Sequence, residues 1–419
     1  MSISNKLKTI LSLQSIAVKV KSAYKNIQKV FDAGYASGYE EGVKTDPQWN
    51  AYCLKTGEHF DLPEGMTVIP EYMFVRHSNL KTIDIPTTVK VIENSAFDSS
   101  SVRIGQFPEN LETIMYDAFI NCQNNDVLVF SPSIIEIGGD AFCGNANLTE
   151  VTFVKTNDKA GTPTELDKFA FANCPNLTTI RVHWAEGEVA GEFDADGNRI
   201  NWGAENATVV HNFWDTAITS EVFTFPQGFI KIPDYLFYDT TATNAKEIYL
   251  GDECEEIGEA AFYKAKNLET VHFPDGLKKI GAYAFRYSSA LNCSELPDSV
   301  EEIANRAFHG SSVSLSKLPA NIKELGIRCF QGCSGNNFTE IPAGIVRISA
   351  EAFMNNTELT KLVFLSTPEV DKVVKGIASD AFSGCTNLVE IGVPWNEGEV
   401  SGAPWGAANA TIIYDWKEG

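Results

Sequence analysis

The sequence has no apolar run close to the ~20 residues that a membrane-spanning helix needs. At the N-terminus Gln14 and Lys19 interrupt the one apolar stretch, and no small-residue cleavage site follows, so neither a span nor a secretory signal peptide is expected. Positive charge is scarce: 33 Lys plus Arg stand against 55 Asp plus Glu, for a net charge of −22. That balance argues against nucleic acid or an anionic membrane as partner, because both reward phosphate neutralisation by basic side chains. Catalytic signatures are missing too. The six histidines, His59, His77, His183, His211, His272 and His309, form no HExxH pair. There is no GxSxG elbow, no Walker loop and no GxGxxG after a strand. No enzymatic activity, metal or cofactor is therefore expected.

Nine cysteines are present and none forms a CxxC pair. Cys122, Cys174, Cys333 and Cys385 each follow a phenylalanine by three residues. That regularity predicts a repeated small core position, since free cysteine packs as a small hydrophobe.

The phenylalanines expose the organisation. Similar six-residue stretches end at Phe74, Phe97, Phe119, Phe142 and Phe171, and again at Phe237, Phe262, Phe285, Phe308, Phe330, Phe353 and Phe382, mostly 22 or 23 residues apart. Between them recurs a second pattern, NLKTIDIP from Asn79, NLTEVTF from Asn147, NLTTIRV from Asn176, NLETVHFP from Asn267 and NLVEIGVP from Asn387. In NLKTIDIP, strand alternation sends Leu80, Ile83 and Ile85 inward and Asp84 outward. Pro86 then ends the strand because it cannot donate to a continuing ladder. A V-x-x-I step and a short helical or irregular segment burying Phe97 should follow. One such unit cannot cover its own apolar face, so neighbours must stack into a repeat solenoid.

These units resemble the BspA-type leucine-rich repeat, L-x-x-I-x-I-P…V-x-x-I-G-x-x-A-F-x-x-C, from about Phe60 to the C-terminus. The units of Phe74 and Phe237 depart from it, with Pro70 and Pro233 in place of the glycine, and are expected to serve as N-terminal caps.

Five phenylalanines of the second half match the first half at a constant offset of 211 residues, Phe74 pairing with Phe285 and Phe171 with Phe382. WAEGEV from Trp184 recurs as WNEGEV from Trp395, and WGAENATVV from Trp202 as WGAANATII from Trp405. Two modules are expected, 49–213 and 214–419, each with a leading and a closing cap. Glu186 and Glu188 lie at i and i+2 beside a tryptophan, as a glycosidase pair could, but their place after the last strand of a module favours a cap. The acidic run EFDADGNRIN at 192–201 lacks the late bidentate Glu of a calcium loop and reads better as an Asp-Gly hairpin turn.

Residues 1–48 differ. Ile3, Ile10, Ala17, Tyr24 and Phe31 fall seven apart, and Leu13, Val20 and Ile27 add a second stripe, the a/d pattern of a short coiled coil. An amphipathic helix packed on the first repeats is the alternative. Gly34, Gly38 and Gly42 follow at spacings of four. This preface and the W-x-E-G-E-V…W-G-A-x-N-A-T ending resemble phage and prophage proteins of Gram-positive gut bacteria. The resemblance implies a virion-associated fibre or decoration protein, trimerised or anchored to other virion proteins by the N-terminal helix, with repeats that bind a host surface protein or glycan. A bacterial cell-surface adhesin is the alternative, and a glycan-active enzyme ranks third. The expected binding residues are outward strand positions: Lys81, Thr82, Asp84, Glu150, Thr152, Thr179, Arg181, His183, Glu269 and His272.

Overall fold

A computed structural model describes residues 58–62, 65–155, 162–239, 244–366, 376–399 and 401–416. The heptad stripe from Ile3 to Phe31 and the glycine-spaced segment lie outside them.

Each repeat contributes to two parallel ladders. The short ladder is built from two-residue strands at the V-x-x-I step. In the first half it orders Val68–Ile69, Val91–Ile92, Thr113–Ile114, Glu136–Ile137 and Glu165–Leu166, and in the second half seven strands run from Lys231–Ile232 to Gly376–Ile377. The long ladder uses the NLxx(I/V) strands. His59–Asp61 pairs with Thr82–Asp84, and Val127–Phe130, Glu150–Phe153, Thr179–Arg181 and Thr208–Val210 form a four-stranded sheet. Its second-half counterpart begins with Val222–Thr224, Glu247–Tyr249 and Thr270–His272. Neighbours pair in parallel with one rung per repeat, as Ile92 opposite Ile114 and Ile303 opposite Leu325. The segments leading to each phenylalanine are stacked turns. Among the described residues, helix is confined to Phe213–Thr219 and a 3-10 turn at Asn201–Gly203.

The phenylalanines stack face to face along each core. Phe74, Phe97, Phe119, Phe142 and Phe171 follow one another at centroid distances of 4.8–5.6 Å. Phe237 to Phe382 do the same at 5.1–5.6 Å. Burying each ring contributes about 1.5–3 kcal/mol, and an aromatic pair adds about 0.5–1.5 kcal/mol. The units of Phe74 and Phe237 enter the stacks as first rungs, and their strands are the edge strands of the short ladders. Cysteine recurs because the thiols of Cys122, Cys174, Cys333 and Cys385 donate to the carbonyls of Phe97, Phe142, Phe308 and Phe353 one repeat back, at 3.0–3.2 Å. All eight described cysteines are free.

Two cores result, one from Phe60 to Ala207 and one from Trp214 to Ala407, and no strand of the first half pairs with one of the second among the described residues. The second core also takes in Val129 and Val154. The second stack therefore begins on top of the first rather than extending it.

Candidate functional site

The contact between the stacks decides which strand positions remain free. Val127–Phe130 is buried on both faces, the mark of a strand covered on each side. Its outward Val127 and Val129 face Gly228, where an added Cβ would lie 2.9 Å from Val127 Cγ1 and 3.3 Å from Val129 Cγ2. Trp214 packs with Phe223, Phe225 and Phe229 and donates its Nε1 hydrogen to the carbonyl of Phe153 at 2.8 Å. The amide of Gln106 completes the contact: Oε1 accepts from the backbone N–H of Ile230 and Lys231 at 2.9 and 2.8 Å, and Nε2 donates to the Lys231 carbonyl at 2.9 Å. Those groups form the open edge of the second short ladder, which Gln106 closes as a neighbouring strand would. Around it, Arg103 pairs with Glu253 at 2.9 Å, Lys155 with Asp215 at 3.0 Å, and Lys231 with Glu109 at 3.1 Å. Burial opposes the charge on Lys231, yet Glu109, Asp234 and Glu256 together raise its pKa above the usual lysine value. Glu109 is pushed up, chiefly by burial.

Two of the expected binding residues fall inside the structure. Thr152 is wholly buried, in the strand beside Val127–Phe130. His183 is 8% exposed, its ring edge-on to Trp184 at 5.0 Å. Alternation sent both outward correctly, but outward here means toward other parts of the chain. Glu150 and Arg181 pair with each other at 2.7 Å, and Arg181 lies over the Phe213 ring. Thr179 is half-buried, whereas Lys81, Thr82 and Asp84 are exposed at the start of the first stack. In the second stack Glu269 and His272 are exposed.

His272 belongs to a cluster that alternation alone did not single out. Its ring lies flat on Tyr249 at 3.9 Å, and Glu247 accepts hydrogen bonds from His272 Nε2 at 2.7 Å and the Tyr249 hydroxyl at 2.8 Å. These bonds hold the Glu247 carboxyl below the usual glutamate value. EIY at 247–249 follows the inward–outward rule, but no NL precedes it, so the repeat pattern passed it over. On this face exposed outward residues recur from Val222 and Thr224 through Tyr249, His272, Asn292, Ser294 and Ser316 to Asn337 and Thr339, with Glu247, Thr270 and Ser314 half-buried among them. Phe223, Ile248, Val271, Leu315 and Phe338 point into the core beneath them.

The tryptophan motifs close each stack. Trp184, Trp202, Trp395 and Trp405 are at most 3% exposed. The carbonyls of Trp202 and Trp405 accept from the N–H of Phe171 and Phe382 at 2.9 Å, taking the place of a next repeat. Glu188 folds back to accept from the Ala185 N–H at 2.9 Å, and Glu399 does the same for Asn396 at 2.8 Å. Glu186 pairs with Arg199, which also binds the buried Glu192 at 2.6 Å. These carboxylates are committed to turns and ion pairs. The acidic run is a hairpin, with Asp194 accepting from the N–H of Asp196 and Asn198.

Two groups bring ligand-type atoms within 4.8 Å of one another: His59 with Asp61 and Asp84, and Glu186 with Glu192 and His211. In the second, the Arg199 guanidinium already supplies the positive charge. Among the described residues, no helix is long and apolar enough to cross a membrane.

Stacked parallel rungs, a shared phenylalanine column and capped ends define a leucine-rich-repeat solenoid. The BspA type Leucine rich repeat region matches residues 49–178 and 211–337, in six copies, and the chain belongs to that family. Such repeats typically serve as non-enzymatic binding scaffolds, and no catalytic family is indicated. Among solved structures, the pneumococcal vaccine antigen PcpA is 19% identical, with 85% of this chain and 89% of that one covered and a TM-score of 0.38. A leucine-rich repeat protein of Eubacterium ventriosum is 19% identical over 88% and 91%, with a TM-score of 0.37. A leucine rich cell surface protein of Faecalibacterium prausnitzii is 19% identical over 86% and 88%, with a TM-score of 0.26. No curated protein matches the chain.

Proposed function

We propose that the chain is a non-enzymatic adhesion scaffold at a bacterial cell surface, which grips a host surface protein or glycan on the long-ladder face of its second stack. The observation that carries this reading is the row of exposed outward residues between Val222 and Thr339, with the Glu247–Tyr249–His272 cluster on it. Stacked repeats give such a row a fixed spacing, so a partner meets a preformed surface at low ordering cost. Cell-surface placement fits the family, whose BspA-type members are often surface proteins. The division at 213/214 and an anchoring role for residues 1–48, trimeric or otherwise, are part of the proposal. The virion-fibre reading, first from the sequence, is backed by none of the matched proteins and here becomes the alternative.

Beads coated with the full chain should adhere to host epithelial cells, and the Tyr249→Ala/His272→Ala variant should lose most of that adhesion. Equal adhesion by both would refute the face assignment. Surface proteolysis of the producing cells should release the chain. Recovery in purified phage particles instead would restore the virion reading.

A further inference from the structure

The turns beside the phenylalanine column of the second stack carry a cationic aromatic ridge on a strongly acidic protein. The Arg286 guanidinium lies 4.5 Å from the Tyr287 ring centroid and 5.5 Å from that of Tyr283, and Arg306 lies 5.7 Å from the same Tyr283 ring. Arg286 donates to the Tyr287 hydroxyl and Arg306 to that of Tyr283, both at 2.9 Å. The neighbouring cations are neutralised, Lys264 by Asp239 at 3.0 Å and Arg328 by Glu351. Arg286 and Arg306 pair with no carboxylate among the described residues. Within the same ridge, Arg286 Nε is buried without a protein partner, and the His309 ring lies beside the Gln331 side-chain amide. Burial first, then Arg286, Arg306 and Arg328, lowers the pKa of His309, which places three guanidiniums around one imidazole.

The first stack shows that folding does not require this charge. At the same offset of 211 residues, Tyr72 matches Tyr283 and Arg76 stands where Tyr287 does, but Val75 stands where Arg286 does, Ser95 where Arg306 does, Asp98 where His309 does and Asp117 where Arg328 does. That ridge is acidic: burial, Asp140 and Asp98 raise the pKa of Asp117. The scaffold thus forms with neutral side chains in place of Arg286 and Arg306 and an acid in place of Arg328, and structural need does not explain the two arginines.

We propose that the ridge around Arg286, Arg306, Tyr283 and Tyr287 binds a glycan bearing an acidic sugar. A guanidinium fork matches a carboxylate, and stacking on the Tyr283 and Tyr287 rings holds the two guanidiniums in place for it. The overall charge of −22 narrows the class, since a polyanion would be repelled at long range while a largely neutral glycan with one carboxylate would not. The inference deepens the adhesion reading but rests on residues separate from the strand face.

The test is a titration of the full chain with 3′-sialyllactose, with a trisaccharide bearing a single glucuronate as a second carboxylate source and lactose as the neutral control, followed by NMR or calorimetry. At least one acidic oligosaccharide should bind tenfold or more tighter than lactose. Arg286→Gln/Arg306→Gln should weaken it at least tenfold with thermal unfolding unchanged, and Arg286→Lys/Arg306→Lys should retain part of the affinity. If the Gln variant proves destabilised, the folded Lys variant decides: affinity equal to the wild type removes the fork from the proposal. Indifference to the carboxylate, or no binding of either acidic oligosaccharide at millimolar concentration, overturns it. Tyr249→Ala/His272→Ala should leave this binding intact, so failure of the strand face and failure of the ridge are read separately.

Discussion

The contact between the two stacks can be weighed with a pair of alanine substitutions, because the duplication supplies its own control. Gly65 and Gly228 occupy matching turns, E-G-M and Q-G-F, and both have φ of +88°. Alanine in that left-handed region costs about 1–2 kcal/mol at either site. The surroundings differ. No described atom lies within 4 Å of a Cβ at Gly65, whereas at Gly228 the Cβ would stand 2.9 Å from Val127 and 3.3 Å from Val129. Overpacking of this kind adds about 1–3 kcal/mol, roughly a 5- to 150-fold shift in the docking equilibrium. Amide exchange reads the difference. The Ile230 and Lys231 N–H groups bond to Gln106 across the contact, while the Phe262 N–H bonds to Ala284 inside the second stack. Gly228→Ala should lose protection at Ile230 and Lys231 by tenfold or more and keep it at Phe262. Gly65→Ala should leave all three unchanged. If both variants lose the same stability and neither alters exchange at Ile230 and Lys231, the stacks are not held by this contact.

Phe308 is fully buried between Phe285 and Phe330, each 5.3 Å away, so Phe308→Ala should cost about 3–5 kcal/mol in urea denaturation, and a loss under about 1 kcal/mol would count against the column as a main source of stability. Among the described thiols, half-buried Cys143 should react first with an aromatic disulfide reagent, while Cys333, its pKa pushed up to about 12 by burial, should stay inert until the chain unfolds. Raised thiol values in the fold also mean that stability is kept below the unfolded thiol pKa and falls as pH climbs past it. Labelling of Cys333 in native buffer would contradict that placement.

Much of the fold was readable because the repeat fixes residue types at fixed spacing. Phe97, Phe119 and Phe142 fall in step only if one turn of chain returns each to the same column, and Cys122 and Cys174 mark a buried position whose side chain bonds the carbonyl one repeat back. The tryptophan caps were readable for the same reason, since a part used twice at one offset is structural before it is chemical. The docking of the second stack was not. Alternation assigns a direction to Thr152 and His183 but says nothing of what stands opposite, and that depends on how two distant segments meet. One local trace existed: in DVLVF, at 126–130, both faces are apolar, which a strand with one wet face does not need.

The paired valines bear on how the chain is made. When the first stack has left the ribosome, Val127 and Val129 lie uncovered on a sheet face, an invitation to clump with other nascent chains. The segment that shelters them, from Trp214 to Lys231, is the next to emerge. At about 5–20 residues per second the wait lasts only a few seconds. Order along the gene thus sets how long that face stays bare, and a long insertion between the halves would lengthen the exposure.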